Sequence, residues 1–371
     1  MTAQQKLIKI YTDAQKNLYD IIVKKEARGS VAHYQRSLLR QVTAEIERIK
    51  ALSPALAKEV VSEAYRKGLA SLLRDLESQD THRTLGAFSY VDRRQIRIIA
   101  QNMVDSLNDA VNIVARRTFD AIREAGLNAT AAKLSTGHTI KAMKKELIAS
   151  LVNVDPHSKD GRIGIEYKNG TVMPLDAYAE MVTRSTVAET QNRSKFNQSL
   201  AWGYDLVRCT KHYPTCEVCA KYQDRTYALT KEAANGKYKG PKGEPLYFPL
   251  LFETALVRGY DIIHPNCIHG FYIVVATAED PADLAEMSRQ SMEPFEDTRS
   301  DNERKMYAVG QTIKRKRRQD FNHWNRLKAV LPDDTPSSFG AFRNMKSHNS
   351  ERYRQLLTDY RYVMKEMRKS Q

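Results

Sequence analysis

All four cysteines of the chain (Cys209, Cys216, Cys219 and Cys267) and three of its nine histidines (His212, His264 and His269) fall within residues 209–269. Cys216 and Cys219 are separated by two residues, so one tight turn can aim both sulfurs at one point. His264 and Cys267 repeat that spacing, with Pro265 fixing a backbone angle inside the turn. Two short arms of soft sulfur and imidazole donors are what a tetrahedral zinc site requires. The favoured ligand set is Cys216, Cys219, His264 and Cys267, with His212 and His269 as substitutes or as partners that orient the ligands.

Three other chemistries compete for these residues. A Cys-x-x-Cys pair serves redox exchange when it opens a helix after a strand. Here Pro214 precedes it and Lys221-Tyr222-Gln223-Asp224 follow, which reads as loop rather than helix start. Disulfides need an oxidising compartment, and the opening Met-Thr-Ala-Gln-Gln-Lys carries no secretory signal. Buried free thiols are the remaining alternative. A catalytic zinc would need more than ligands. No His-Glu-x-x-His occurs, and no upstream His-x-Glu completes the Pro-Thr-Cys-x-x-Cys run as a deaminase. The acid nearest the arms, Glu217, sits inside the first turn and is expected to face solvent. The pattern therefore predicts a structural metal.

The elements that must position the two arms divide the chain into three parts. Residues 1–150 read as a helical domain: Leu7, Ile10, Tyr11, Leu18, Ile21 and Ile22 recur at helical spacing until Gly29-Ser30. Leu38, Leu39, Val42, Ile46 and Ile49 continue on a second helix, and Ser53-Pro54 reads as the cap opening a third. A long helix over 91–125 follows, with Gly126 as its C-cap. Residues 151–280 form a small α+β module. It holds a hairpin turning at Asn169-Gly170, a helix over 175–202, and strands over 205–211, 225–229 and 270–277. Residues 281–371 return to helices, with a connector over 331–342 and a last helix over 351–368. The fold class is α+β.

The formal net charge is +15, which favours a polyanionic or acidic partner. No apolar run approaches the ~20 residues of a membrane span. Residues 235–245, rich in Gly, Pro and Lys, read as an exposed loop; no Gly-Lys-Ser/Thr makes them a phosphate cradle. Lys314, Arg315, Lys316, Arg317 and Arg318 form an unbroken basic run, suited either to nucleic-acid phosphates or to a solvated helix.

Taken together, the stretches Gly170-Thr171-Val172-Met173-Pro174-Leu175-Asp176, Asp205-Leu206-Val207-Arg208, Cys216-x-x-Cys219-Ala220-x-Tyr222-Gln223 and His264-Pro265-Asn266-Cys267-Ile268-His269 make the chain recognisable. It resembles the phage minor capsid protein 2 family of the broader Mu F-like head-morphogenesis group. Ile268 stands where the family commonly has arginine, and some members place histidine at the position of Cys219. The resemblance implies a structural virion protein beside the portal of a tailed-phage head. Its partners would be the portal and head proteins together with packaged double-stranded DNA, which it would accompany on ejection. Host cytoplasm would be its location during assembly. The competing expectation is a zinc-dependent hydrolase acting on nucleic acid or peptidoglycan during infection. The basic helical C-terminal part does not resemble an appended enzyme domain.

Overall fold

The computed structural model describes residues 1–25, 29–136, 143–144, 147, 164–167, 172–257, 263–265 and 267–368. The described chain is mostly helical with a small β module, an α+β fold. The turn expected at Asn169-Gly170 lies outside the described residues. The flanking strands, β1 (Ile165–Glu166) and β2 (Val172–Met173), pair antiparallel with Ile165 opposite Met173.

Helix α1 (Ala3–Lys24) starts at a capping box in which Thr2 and Gln5 satisfy each other's backbone N–H groups. Its Leu7, Tyr11, Leu18 and Ile22 are fully buried. Helix α2 (Val31–Glu77) is 47 residues long and runs straight through Ser53-Pro54, so the helix start expected there is corrected. Ser53 is satisfied without capping anything: its hydroxyl donates to the Ile49 carbonyl at 2.7 Å and meets the Tyr11 hydroxyl at 2.8 Å. Ile49, Ala57 and Val61, buried on either side, hold the helix together across the proline. Helix α3 (Tyr90–Thr136) likewise continues past Gly126. A Cβ there would lie 2.9 Å from the Gln35 side chain, so this glycine permits close approach rather than a C-cap.

Two compact units arise from interleaved segments: 1–53, 105–180 and 312–371 in the first, 54–104 and 181–311 in the second. In the first unit, helices α9 (Phe339–Ser347) and α10 (Glu351–Arg368) close a small core of Leu327, Phe342, Tyr353 and Leu356. The expected connector thus ends at Ser338, which caps α9 by accepting the Ala341 N–H.

The second unit holds a three-stranded antiparallel sheet of order β4-β3-β7. Its strands are β3 (Leu206–Cys209), β4 (Thr226–Ala228) and β7 (Phe271–Val274). Leu206 pairs with Ala228 on one side and Val274 on the other, and Cys209 pairs with Phe271. The edge of β7 is covered by side chains rather than by another strand. Gln79 of α2 donates to the Ile273 carbonyl at 2.7 Å and accepts the Val275 N–H at 2.8 Å, as a neighbouring strand would. Lys195, on α4 (Leu175–Ala201), donates to the Phe271 carbonyl at 2.7 Å and to Asp75 at 3.0 Å.

Residues 235–245, expected as a loop, instead form a hairpin of β5 (Asn235–Lys239) and β6 (Pro245–Tyr247). Gly243 turns it with a positive φ of 78°. Buried Asp205 pins it to β3, accepting from Lys237 at 2.7 Å and from the Tyr238 hydroxyl. Proline and glycine weakened the strand signal; this long-range anchoring overrides it.

Helices α2 and α4 meet at Gly68, where a Cβ would fall 1.9 Å from Ser194 Oγ and 2.4 Å from the Gln191 carbonyl oxygen. Gly68→Ala should therefore cost about 1–3 kcal/mol by forcing the helices apart. Denaturant unfolding of the two proteins checks this, and equal midpoints would contradict the close packing.

Candidate metal centre

Strand pairing explains why arms far apart in sequence become neighbours. The first arm leaves the end of β3 and the second enters the start of β7, and these two strands pair antiparallel. The ladder extends one step further: the Thr210 N–H donates to the Gly270 carbonyl at 2.9 Å, and the Gly270 N–H to Thr210 Oγ1 at 3.0 Å. Both arms thus start from one fixed base.

The first arm folds as a loop into a one-turn helix, α5 (Glu217–Ala220). Cys216 caps it, its sulfur accepting the Cys219 N–H at 3.3 Å, so the expectation of a loop without a helix start is corrected. The second arm turns at Pro265, with the Cys267 N–H donating to the His264 carbonyl at 3.3 Å. The His269 N–H donates to the Cys267 sulfur at 3.4 Å. Backbone donors therefore face two sulfurs before any ligand is considered.

The four favoured residues converge. His264 Nε2 lies 3.1 Å from Cys216 Sγ and 3.2 Å from Cys219 Sγ, and Cys219 Sγ lies 3.3 Å from Cys267 Sγ. That sulfur–sulfur distance is far beyond the ~2.0 Å of a disulfide. It is close to the ~3.7 Å edge of a tetrahedron with metal–sulfur bonds of ~2.3 Å. The His264 Nδ1–H donates to the Pro265 carbonyl at 2.9 Å, which leaves the Nε2 lone pair facing the thiols. Two overlapping triples could hold a metal ion: Cys216, Cys219 and His264, and Cys219, Cys267 and His269.

The protonation pattern shows what such a cluster needs. Hydrogen bonding from Cys219, then from His264, pulls Cys216 down to about 4 and Cys267 down to about 2. Those bonds push Cys219 up, and bonding to Cys216 and then Cys267 raises His264 to about 10. Two sulfurs are thus held as thiolates by protons on the third sulfur and on the imidazole. A divalent cation would replace both protons and serve all four donors.

The two alternate histidines take different places. His269 is buried, with Nδ1 at 3.2 Å from Cys267 Sγ and Nε2 at 3.1 Å from Gln223 Oε1. It stands as an alternate donor. His212 belongs to neither triple; its Nε2 meets Thr210 Oγ1 at 3.0 Å and its ring packs edge-on against His269. Cys209 stays in the hydrophobic core, where burial pushes its thiol up. Glu217 is exposed.

Sequence reasoning missed a clasp over the first arm. Buried Arg225 on β4 donates to the carbonyls of Ser291, Glu293 and Pro294, fixing the end of α7 (Pro281–Ser291). The chain then returns along the start of α8 (Asp301–Val330), where Glu303 accepts the Thr215 N–H at 3.1 Å. Arg299, paired with Asp297, donates to the Thr215 carbonyl at 3.3 Å. Nothing in the local pattern of these charged residues marks such a long-range partner.

The basic run lies on α8 in the first unit. Lys314, Arg315, Lys316 and Arg317 are exposed. Arg318 turns inward to Asp176 at 3.0 Å, with Glu180 at 3.9 Å and the Phe321 ring beneath its guanidinium. Among the described residues no helix is long and apolar enough to cross a membrane.

The family described as Phage minor capsid protein 2 matches residues 1–326 of the chain. No curated protein and no solved structure matches it.

Variants separate ligands from supporting groups. Cys219→Ser combined with Cys267→Ser should abolish stoichiometric metal in the purified protein and expose the β3 and β7 amides to hydrogen exchange. Gln223→Ala should weaken metal affinity only about 10–100-fold, as expected for a group that orients a ligand. Full metal content in the double serine variant would contradict the assignment.

Proposed function

The chain belongs to the phage minor capsid protein 2 family, and from that premise we propose that it is a structural protein of the phage head, positioned at the portal vertex. The portal and other head proteins are its partners, and its mature location is the virion. The match across residues 1–326 carries this reading, because it spans the helical first third, the α+β module and the start of the basic helix together.

In this reading the Cys/His centre binds zinc with Cys216, Cys219, His264 and Cys267. The donor set supports that assignment: three sulfurs and one imidazole suit a borderline-soft ion and fill a tetrahedron. Zinc there cross-links the two arms across the intervening hairpin, so binding energy becomes folding energy for the module. The role is mechanical. It fixes a surface for assembly rather than activating a water.

The exposed cations Lys314, Arg315, Lys316 and Arg317 are the contact proposed for packaged double-stranded DNA. Arg318 is assigned differently, since it neutralises buried Asp176.

Quantitative mass spectrometry of purified particles tests the location. A few copies per head are expected; presence only in infected-cell lysate would overturn the reading and favour a hydrolase acting during infection. Changing Lys314, Arg315, Lys316 and Arg317 to Gln should weaken duplex binding regardless of sequence and lower the salt slope by about 3–4. Arg318→Gln should instead lower stability by about 1–3 kcal/mol by stripping a buried carboxylate of its partner.

A further inference from the structure

In the second unit, α2 and α3 enclose a groove of about 400 Å³. Lys58 and Arg66 project into it from α2, and Arg93 and Arg97 from α3. Spacings of four and eight residues keep each pair on one helix face. All four cations are exposed, and no carboxylate lines the groove. Among the described residues, none of the four forms an ion pair. The acid beside Arg93 is not available to them: buried Asp92 accepts the Tyr65 hydroxyl at 2.6 Å and the Ser89 N–H at 2.7 Å.

One end of the groove carries a flat platform. The Arg66 guanidinium lies over the Phe88 ring at 5.4 Å, and Arg93 fixes that residue by donating to its carbonyl at 2.6 Å. The floor offers little else, since Ile96 and Val104 are only 5% and 7% exposed. An amphipathic acidic helix would find almost no apolar surface left to bury here. Attraction to this groove is electrostatic, with one stacking position.

We propose that the groove binds the phosphodiester backbone of single-stranded nucleic acid. Lys58, Arg93 and Arg97 contact phosphates, and one base stacks on the Arg66–Phe88 pair. A duplex keeps its bases paired inside and cannot use such a platform, whereas an unpaired strand can. This site is separate from the basic run of α8 and does not rest on the head assignment.

The test is fluorescence anisotropy on the full-length protein carrying Lys314, Arg315, Lys316 and Arg317 changed to Gln, which removes the other proposed contact. The probes are a labelled oligodeoxythymidine, a duplex of the same length, and polyglutamate as competitor. Adding Lys58→Gln, Arg66→Gln, Arg93→Gln and Arg97→Gln should weaken single-strand binding at least tenfold and reduce the salt slope by about 3, at ~0.7 per cation lost. Phe88→Leu should weaken binding while leaving the slope unchanged. Should the combined variant fail to fold, arginine modification of the original protein reads the same contact, and the oligonucleotide should protect Arg66 and Arg93 from the reagent. Unchanged affinity, unprotected arginines, duplex binding with the same dependence on these cations, or equal competition by polyglutamate would each overturn the proposal.

Discussion

Three sulfur atoms and an imidazole held in mutual contact impose a charge constraint. The sulfurs can be thiolates together only if positive charge lies among them, and without it protons must be shared unevenly across Cys216, Cys219, Cys267 and His264. The surrounding chain is arranged to keep that contact. Antiparallel pairing of β3 with β7 brings the arms to one base, the α5 turn sets one pair of sulfurs, and Pro265 sets the other arm. The clasp of Arg225, Arg299 and Glu303 then closes over the first arm from a segment nearly a hundred residues downstream.

The helices are part of this arrangement. Strand β7 is an edge strand, and an exposed edge invites wrong pairing. Gln79 supplies the missing strand's donor and acceptor, while Lys195 and Asp75 occupy the next positions along the same edge. Gly68 lets α4 approach α2 closely enough for Lys195 and Asp75 to meet. A site made of two loops is thereby tied to helices that carry no ligand. This suits a protein whose task is to present a rigid surface.

Much of this was legible in the sequence where the signal is local. The spacing of Cys216 with Cys219, and of His264 with Cys267, pointed to the residues that the structure brings together. The apolar runs around Val207, Tyr227 and Ile273 marked the strands, and the final helix was read over the residues where it stands. The failures share a cause. Pro54, Gly126 and the Gly/Pro-rich hairpin were read by local propensity, whereas burial and long-range anchors decide them: Ile49 and Val61 around the proline, Gln35 beside the glycine, Asp205 beneath the hairpin. Cys216 was read as loop because a sulfur cap lacks the usual Ser, Thr, Asp or Asn signal. Arg299 and Glu303 were invisible for a simpler reason: a charged residue on a polar helix face gives no sign of its distant partner.

The central claim concerns what sits among the four donors, and X-ray absorption at the zinc edge on purified full-length protein tests it most directly. The account predicts one zinc with three sulfurs at about 2.3 Å and one imidazole nitrogen at about 2.0 Å. An absent edge, or a shell of nitrogen and oxygen without sulfur, would contradict it.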